Sequence, residues 1–268
     1  MKDTYFDNLK NVLIENNIND SESIIQKYLM WYDAGIKLGI THDEIIDKFG
    51  TPQSIVEEYL RLYENLKGDF NFLIKTYQDN IDILYSIDEK TNVLVKNIDQ
   101  TAYNVVKTDK LLKIEYIDNK LDKRRKPGNI RIELPISKKL NNVFLSTVSG
   151  EINVFSINSH RTLVETVDGD IFIDEIKSIE MKITSDVGKI FGTNYKCQKC
   201  ILSTVSSNIH IESLDADISK VETISGNIYV DSLKGVIAAK SMSGDIIINN
   251  EPKESSTKFY VSKIFNNY

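Results

Sequence analysis

The chain is poor in the residues that most often carry chemistry. Two cysteines among 268 residues cannot staple a disulfide scaffold, and such sparing use points to a reducing compartment. Three histidines, His42, His160 and His210, leave little with which to complete a metal site of about four ligands. No apolar run approaches the roughly 18 residues of a membrane span. The opening residues, MKDTYFDNLKNVLIEN, carry acids and amides where an export signal needs an apolar core, so a cytoplasmic location is expected. A net charge of −6 argues against nucleic acid or an anionic membrane as the main partner. No phosphate loop, nucleophile elbow or metal motif is present, so neither catalysis nor a cofactor is expected.

What is there divides in two. The first 68 residues carry helical spacing. Asn19-Asp20-Ser21 offers an N-cap, and Ile24, Tyr28, Trp31, Gly35 and Leu38 then fall on one stripe of a helix. Ile25, Leu29, Tyr32 and Ile36 form a second stripe beside it. A helix apolar over so wide an arc is packed between others or meets a partner, so Tyr28, Trp31 and Tyr32 are either core residues or a partner surface. Thr41-His42-Asp43-Glu44 has the pattern of a capping box. Gly50 then ends one helix, while Thr51 and Pro52 begin the next. With an opening helix at about 4–16, the spacing predicts four helices.

YFDNLKNVLIEN and IIQKYLMWYDAGIKLGITHDEIIDKFGTPQSIVEEYL resemble the bacterial HAAS signalling domain. The similarity covers about 60 residues. In place of that family's Leu-Gly-Asp-Pro turn stands Phe49-Gly50-Thr51-Pro52. The resemblance implies a partner-binding helical module, often associated with PadR-like transcription regulators.

The second half repeats a phrase: STVSGEINV, ETVDGDIFI, STVSSNIHI, ETISGNIYV and KSMSGDIII, with a looser SDVGKIFG. Setting Gly150, Gly169, Gly188, Ser207, Gly226 and Gly244 as position zero gives a period of 19, once 18. Six copies at a fixed period mean stacked coils. Position +2 is isoleucine in every copy: Ile152, Ile171, Ile190, Ile209, Ile228 and Ile246. Positions −5, −2, +4 and +7 are mostly apolar and are expected to face inward with it. The alternation around +2 and +4 is that of a strand with one buried face. The Ser-Gly-Asp/Asn step reads as a turn in which glycine supplies a special backbone angle. Coils of this kind stack about 4.7–4.9 Å apart. Residues 83–98, 111–117 and 129–136 alternate like strands and are expected to cap the first end, with the tail 254–268 covering the other.

IRIELPISKKLNNVFLSTVSGEINV and the later phrases resemble the bacterial putative adhesin family of short β-strand repeats, over roughly residues 80–255. That resemblance implies a β-solenoid without known catalysis.

Several residues have two readings. Cys197 and Cys200 have the spacing of half a zinc site or a redox pair. Their repeat register instead aligns Cys197 with small residues and Cys200 with Met181 and Ile237, as in corner packing. Asp186 and Gly192 fall on expected inward slots and mark either a functional lapse or a register adjustment in which Val187 turns inward. Glu151, Asp170, Asn208, Asn227 and Asp245 line one edge, as turn stabilisers or as a calcium row. Lys123, Arg124, Arg125 and Lys126 are a solvated loop or an anion contact.

The expected fold is thus α+β. A four-helix module (1–68) is followed by a linker or helix extension (69–80). A β-solenoid of about six 19-residue coils with strand caps fills 81–268, its core repeats at 143–250. The expected role is non-enzymatic: a regulatory, sensory or scaffold protein whose helices bind a protein and whose solenoid is a rigid platform. The alternative is a surface adhesin binding a polymer or host molecule.

Overall fold

A computed structural model describes residues 2–16, 18, 21–37, 39–63, 68–86, 88, 90–117, 126–135, 137–249, 251–253 and 260–262. They fall into two compact units, one made of helices and one made of strands.

In the first unit a few helices surround a small core: α1 (Lys2–Glu15), α2 (Ser21–Lys37), α3 (His42–Phe49) and α4 (Pro52–Tyr63). Leu9, Leu13, Ile45 and Val56 are fully buried at its centre. The capping box closes as the spacing predicts, with the Glu44 amide donating to Thr41 and the Thr41 amide donating back to the Glu44 carboxylate. Gly50 has a φ of 78°, where a side chain would be strained. The Ser54 amide donates to Thr51 Oγ1 at 3.1 Å, capping α4.

The second unit is a β-solenoid of about six turns. Its repeat strands are β7 (Leu140–Thr147), β8 (Ile152–Thr166), β9 (Ile171–Ser185), β10 (Ile190–Thr204), β11 (Ile209–Thr223), β12 (Ile228–Ser241) and β13 (Ile246–Ile248). Each pairs parallel with the next. The register places residues nineteen apart over one another, eighteen apart from Ile218 and Val236 onward, so the six +2 isoleucines form one buried column. Parallel strands buried in this way need coverage on their inner face, and the single aliphatic interior that the coils share supplies it. The long strands bend: in β8 adjacent Ser156 and Ile157 are both buried, which resets the alternation at a corner.

Two features of the repeat differ from the sequence reading. Position −2 faces outward, not inward: Val167, Val205, Ile224 and Met242 are 44–69% exposed. The inward residue is the hydroxyl at −3, namely Thr147, Thr166, Ser185, Thr204, Thr223 and Ser241, all buried. The amides of Gly150, Gly169, Gly226 and Gly244 donate to these hydroxyls at 2.8–3.0 Å. A buried amide must be paired, and valine could not pair it. Nor are the repeat glycines needed for a positive φ, which among glycines is confined to Gly39, Gly50 and Gly235. They are needed for close approach: a Cβ on Gly169, Gly188 or Gly226 would lie 1.8 Å from the carbonyl oxygen of the turn below. Ser207 nonetheless occupies this slot and donates its hydroxyl to the Val187 carbonyl.

The first end is built differently from the expected capping strands. Residues 69–80 are not a linker. β1 (Phe70–Lys75) pairs parallel with β7, and β2 (Asn80–Ser86) pairs parallel with the start of β8. Thr76-Tyr77-Gln78-Asp79 is therefore a further copy of the turn, with Asp79 where glycine usually stands. Residues 83–98 are not one strand but the end of β2 and then β3 (Asn92–Lys96). β4 (Tyr103–Lys107), β5 (Leu111–Tyr116) and β6 (Asn129–Pro135) follow. β5 and β6 lie on the far side of β1 and β2, so the coil formed first in the chain is second in space. Antiparallel β3 and β4 close that end. At the other end β14 (Glu251–Lys253) and β15 (Tyr260–Ser262) pair antiparallel with β13 and β12. The rest of the tail, 254–259 and 263–268, lies outside the described residues.

Candidate ligand-binding face

Because strand side chains alternate, positions +1, +3 and +5 of each coil point away from the interior. At +3 the coils carry Phe172, Phe191, His210 and Tyr229, which the ladder register places in successive layers. Their ring centroids follow one another at 6.5, 5.4 and 5.7 Å. The rings are tilted or edge-to-face, the arrangement their quadrupoles prefer. Phe172 is 38% exposed, and the other three are partly exposed.

Polar columns flank the rings at about the 6.8 Å spacing of alternate strand residues. At +1 stand Glu151, Asp170, Lys189, Asn208, Asn227 and Asp245, and at +5 in the four ring layers stand Asp174, Thr193, Glu212 and Asp231, with Phe155 and Asn249 at the ends of that column. Two hydrogen bonds tie the columns together. Asn227 Nδ2 donates to Tyr229 Oη at 2.9 Å, and His210 Nε2 lies 2.9 Å from Asp231 Oδ2. The ring column was absent from the sequence reading, although its signal, a nineteen-residue spacing of aromatic residues at +3, was present.

The +1 row does the turn-stabilising job. Asp170, Asn208 and Asn227 each accept the backbone amide of the next coil's +1 residue, at 2.7–2.8 Å. Asn80 does the same for Glu151 at 2.9 Å, carrying the row into the added coil. A second outward column, the aliphatic −2 row with Val187, borders a groove of about 240 Å³ lined in part by Val205, Ile224 and Met242.

The remaining candidates fall elsewhere. Tyr28 and Tyr32 are buried and Trp31 is half-buried; Tyr28 packs edge-on against Phe49 at 5.0 Å and Tyr32 against Phe6 at 6.0 Å. All three pack into the helical core, because the short helices need aromatic area to fill their interior. Lys123, Arg124 and Arg125 lie outside the described residues, and Lys126 is exposed beside them. Asp186 turns outward, and so does Val187, which is 49% exposed and does not replace it in the interior.

Cys197 and Cys200 are free thiols buried in the corner of β10, over Ser178 and Met181 and under Ala216 and Ser219. The hydrogen-bonded Cys200 thiol, together with burial, pushes the Cys197 thiol well above the usual cysteine range, so it is a poor thiolate. Gly192 is explained by Tyr195. A Cβ at Gly192 would lie 2.3–2.6 Å from that ring, so the missing side chain at +4 makes room for an oversized one at +7. Tyr195 is fully buried, and among the described residues its hydroxyl has no hydrogen-bond partner. Burial accordingly holds its phenol well above the ordinary range.

A repeating parallel coil with an aliphatic interior and columned outer faces defines the second unit as a β-solenoid. Residues 72–262 match the family described as Toastrack DUF4097, and the chain belongs to that family. The solved structures that resemble it include the following two. One is a putative adhesin from Bacteroides fragilis NCTC 9343, with 16% identity, a TM-score of 0.36, and coverage of 66% of this chain and 94% of the other. The second is a putative lipid binding protein from Parabacteroides distasonis ATCC 8503, with 14% identity, a TM-score of 0.36, and coverage of 67% and 93%. No curated protein matches the chain.

Proposed function

We propose that this protein is a non-catalytic scaffold whose solenoid presents the +3 ring column as a rigid platform for a ligand. The observation that carries the reading is the column itself: four rings fixed in adjacent layers on a sheet whose backbone is paired on both sides. Partly exposed rings on a rigid support give contact area at low ordering cost, which is what a binding surface needs. The helical module is the protein-contacting part, with a PadR-like regulator as the partner its sequence resemblance suggests.

The platform is tested by replacing Phe172, Phe191 and Tyr229 with threonine, which keeps strand propensity. Arrays of peptides and of oligosaccharides probed with the full chain are expected to show binding that the triple variant loses at unchanged melting temperature. Equal binding by both proteins refutes the platform. Turnover of any arrayed glycan refutes the non-catalytic assignment. For the helices, co-expression with a PadR-like regulator from the same organism is expected to give a complex that survives size-exclusion chromatography; separate elution refutes that half. Recovery of the native protein in a cell-envelope fraction would instead favour a surface role.

A further inference from the structure

The platform reading leaves the ligand class open; resting on that reading, we infer that the ring column receives an extended, arginine- and lysine-rich polypeptide segment of a partner protein. The charge around the rings is one-sided. In the four ring layers the +5 column carries Asp174, Glu212 and Asp231 and the +1 column carries Asp170 against the single ammonium of Lys189, with Glu151 and Asp245 one layer beyond either end of the rings. Glu151, Asp174, Glu212, Asp231 and Asp245 are exposed. Aromatic faces attract cations through their quadrupole, arginine most often, and the attraction adds to that of nearby carboxylates. The same charges repel a nucleic-acid backbone, although stacked rings alone would suit bases.

Geometry narrows the occupant from any cation to a strand. Layers lie about 4.8 Å apart, so the four rings run for roughly 14 Å along the solenoid axis. An extended peptide laid along that line sends successive side chains alternately to left and right. Its backbone then covers the rings while its basic side chains reach the +1 column on one side and the +5 column on the other. The face is preset for this. Asn227 holds the Tyr229 hydroxyl and Asp231 holds the His210 ring, so little side-chain freedom remains to be lost on binding.

The test is calorimetric titration of the full chain with three probes: a ten-residue peptide in which pairs of arginines alternate with pairs of serines, so that arginines project to both sides of an extended strand, its glutamate counterpart, and a neutral β-linked oligosaccharide of six sugars. The arginine peptide is expected to bind, and to weaken as salt rises from 50 to 300 mM. Two sets of variants separate rings from charge. Phe172→Thr with Phe191→Thr and Tyr229→Thr leaves every charge in place and is expected to weaken binding at least about tenfold. Asp174→Asn with Glu212→Gln and Asp231→Asn keeps the rings and is expected to weaken it similarly while flattening the salt dependence. Both sets alter exposed or partly exposed positions, and unchanged melting curves will show the fold to be intact. Arginine-peptide binding that the ring variant leaves untouched would be attraction to net charge alone and overturns the inference. Ring-dependent binding of the oligosaccharide with none of the arginine peptide overturns the partner class but leaves the platform standing. Ring-dependent binding of no probe counts against both.

Discussion

At the residue scale the repeat is governed by a threonine and a glycine three apart. The hydroxyl at −3 is buried because it must satisfy the amide of the glycine at zero, and the glycine is bare because the turn below leaves it no room. Gly226→Ala would drive a methyl to 1.8 Å from the Ser207 carbonyl oxygen. We expect it to cost about 2–4 kcal/mol, read as a lowered midpoint in urea unfolding. Tyr195 makes the opposite case. Its hydroxyl lies fully buried without a partner among the described residues, so Tyr195→Phe removes a desolvated group and leaves the packing against Gly192 intact. That variant is expected to be more stable by about 1 kcal/mol. A drop in stability would show that the hydroxyl is satisfied.

At the scale of elements, how much could be read in advance depended on how local the pairing was. The columns at +2, +4, −5 and +7 followed from the period, because successive coils are neighbours in both chain and space. The coil of β1 and β2 did not. It inserts between strands that come later in the chain, and its turn carries aspartate where the others carry glycine. Asp79 is wholly buried there, accepting from the Gly128 amide at 2.6 Å and from the Tyr103 hydroxyl. One carboxylate thus joins the inserted coil to the first residue of β4 and to the residue that precedes β6. Asp79→Ala removes the buried acceptor that both donors share, and about 2–4 kcal/mol of stability is expected to be lost. Hydrogen exchange should then accelerate first in β3 to β6, while β9 to β12 keep their protection. Uniform loss of protection would mean that the cap and the repeats open as one.

At the scale of the whole molecule each unit holds a phenol whose pKa burial raises, Tyr5 in the helices and Tyr195 in the solenoid, so both are sensitive to base. Tyr5 in α1 donates its hydroxyl to the Gly50 carbonyl at 2.8 Å, and burial pushes its pKa from 10.0 to about 12. The folded helices therefore hold a proton that the unfolded chain releases near 10. The stability this supplies is complete below pH 10 and is lost as pH rises through 12. Alkaline titration followed by helical circular dichroism is expected to show weakening that begins above pH 10, and Tyr5→Phe to blunt it. An unchanged profile in the variant would assign the alkaline loss to other groups.

The sequence by itself determined the period, the identity of the isoleucine column and hence the solenoid, because a nineteen-residue spacing of buried side chains has one economical solution, stacking. It also determined the helix caps, whose donors and acceptors lie within three residues of each other. Only the tertiary structure decided which of two neighbours, threonine or valine, turns inward at each corner. Apolarity favours valine, and the choice reverses only once the buried glycine amide above the hydroxyl is known. The tertiary structure alone also placed the first coil second, filled the gap at Gly192 with Tyr195, and turned the aromatic residues at +3 into one face. Each of these depends on which backbone lies next to which, and that is fixed by pairing between distant parts of the chain.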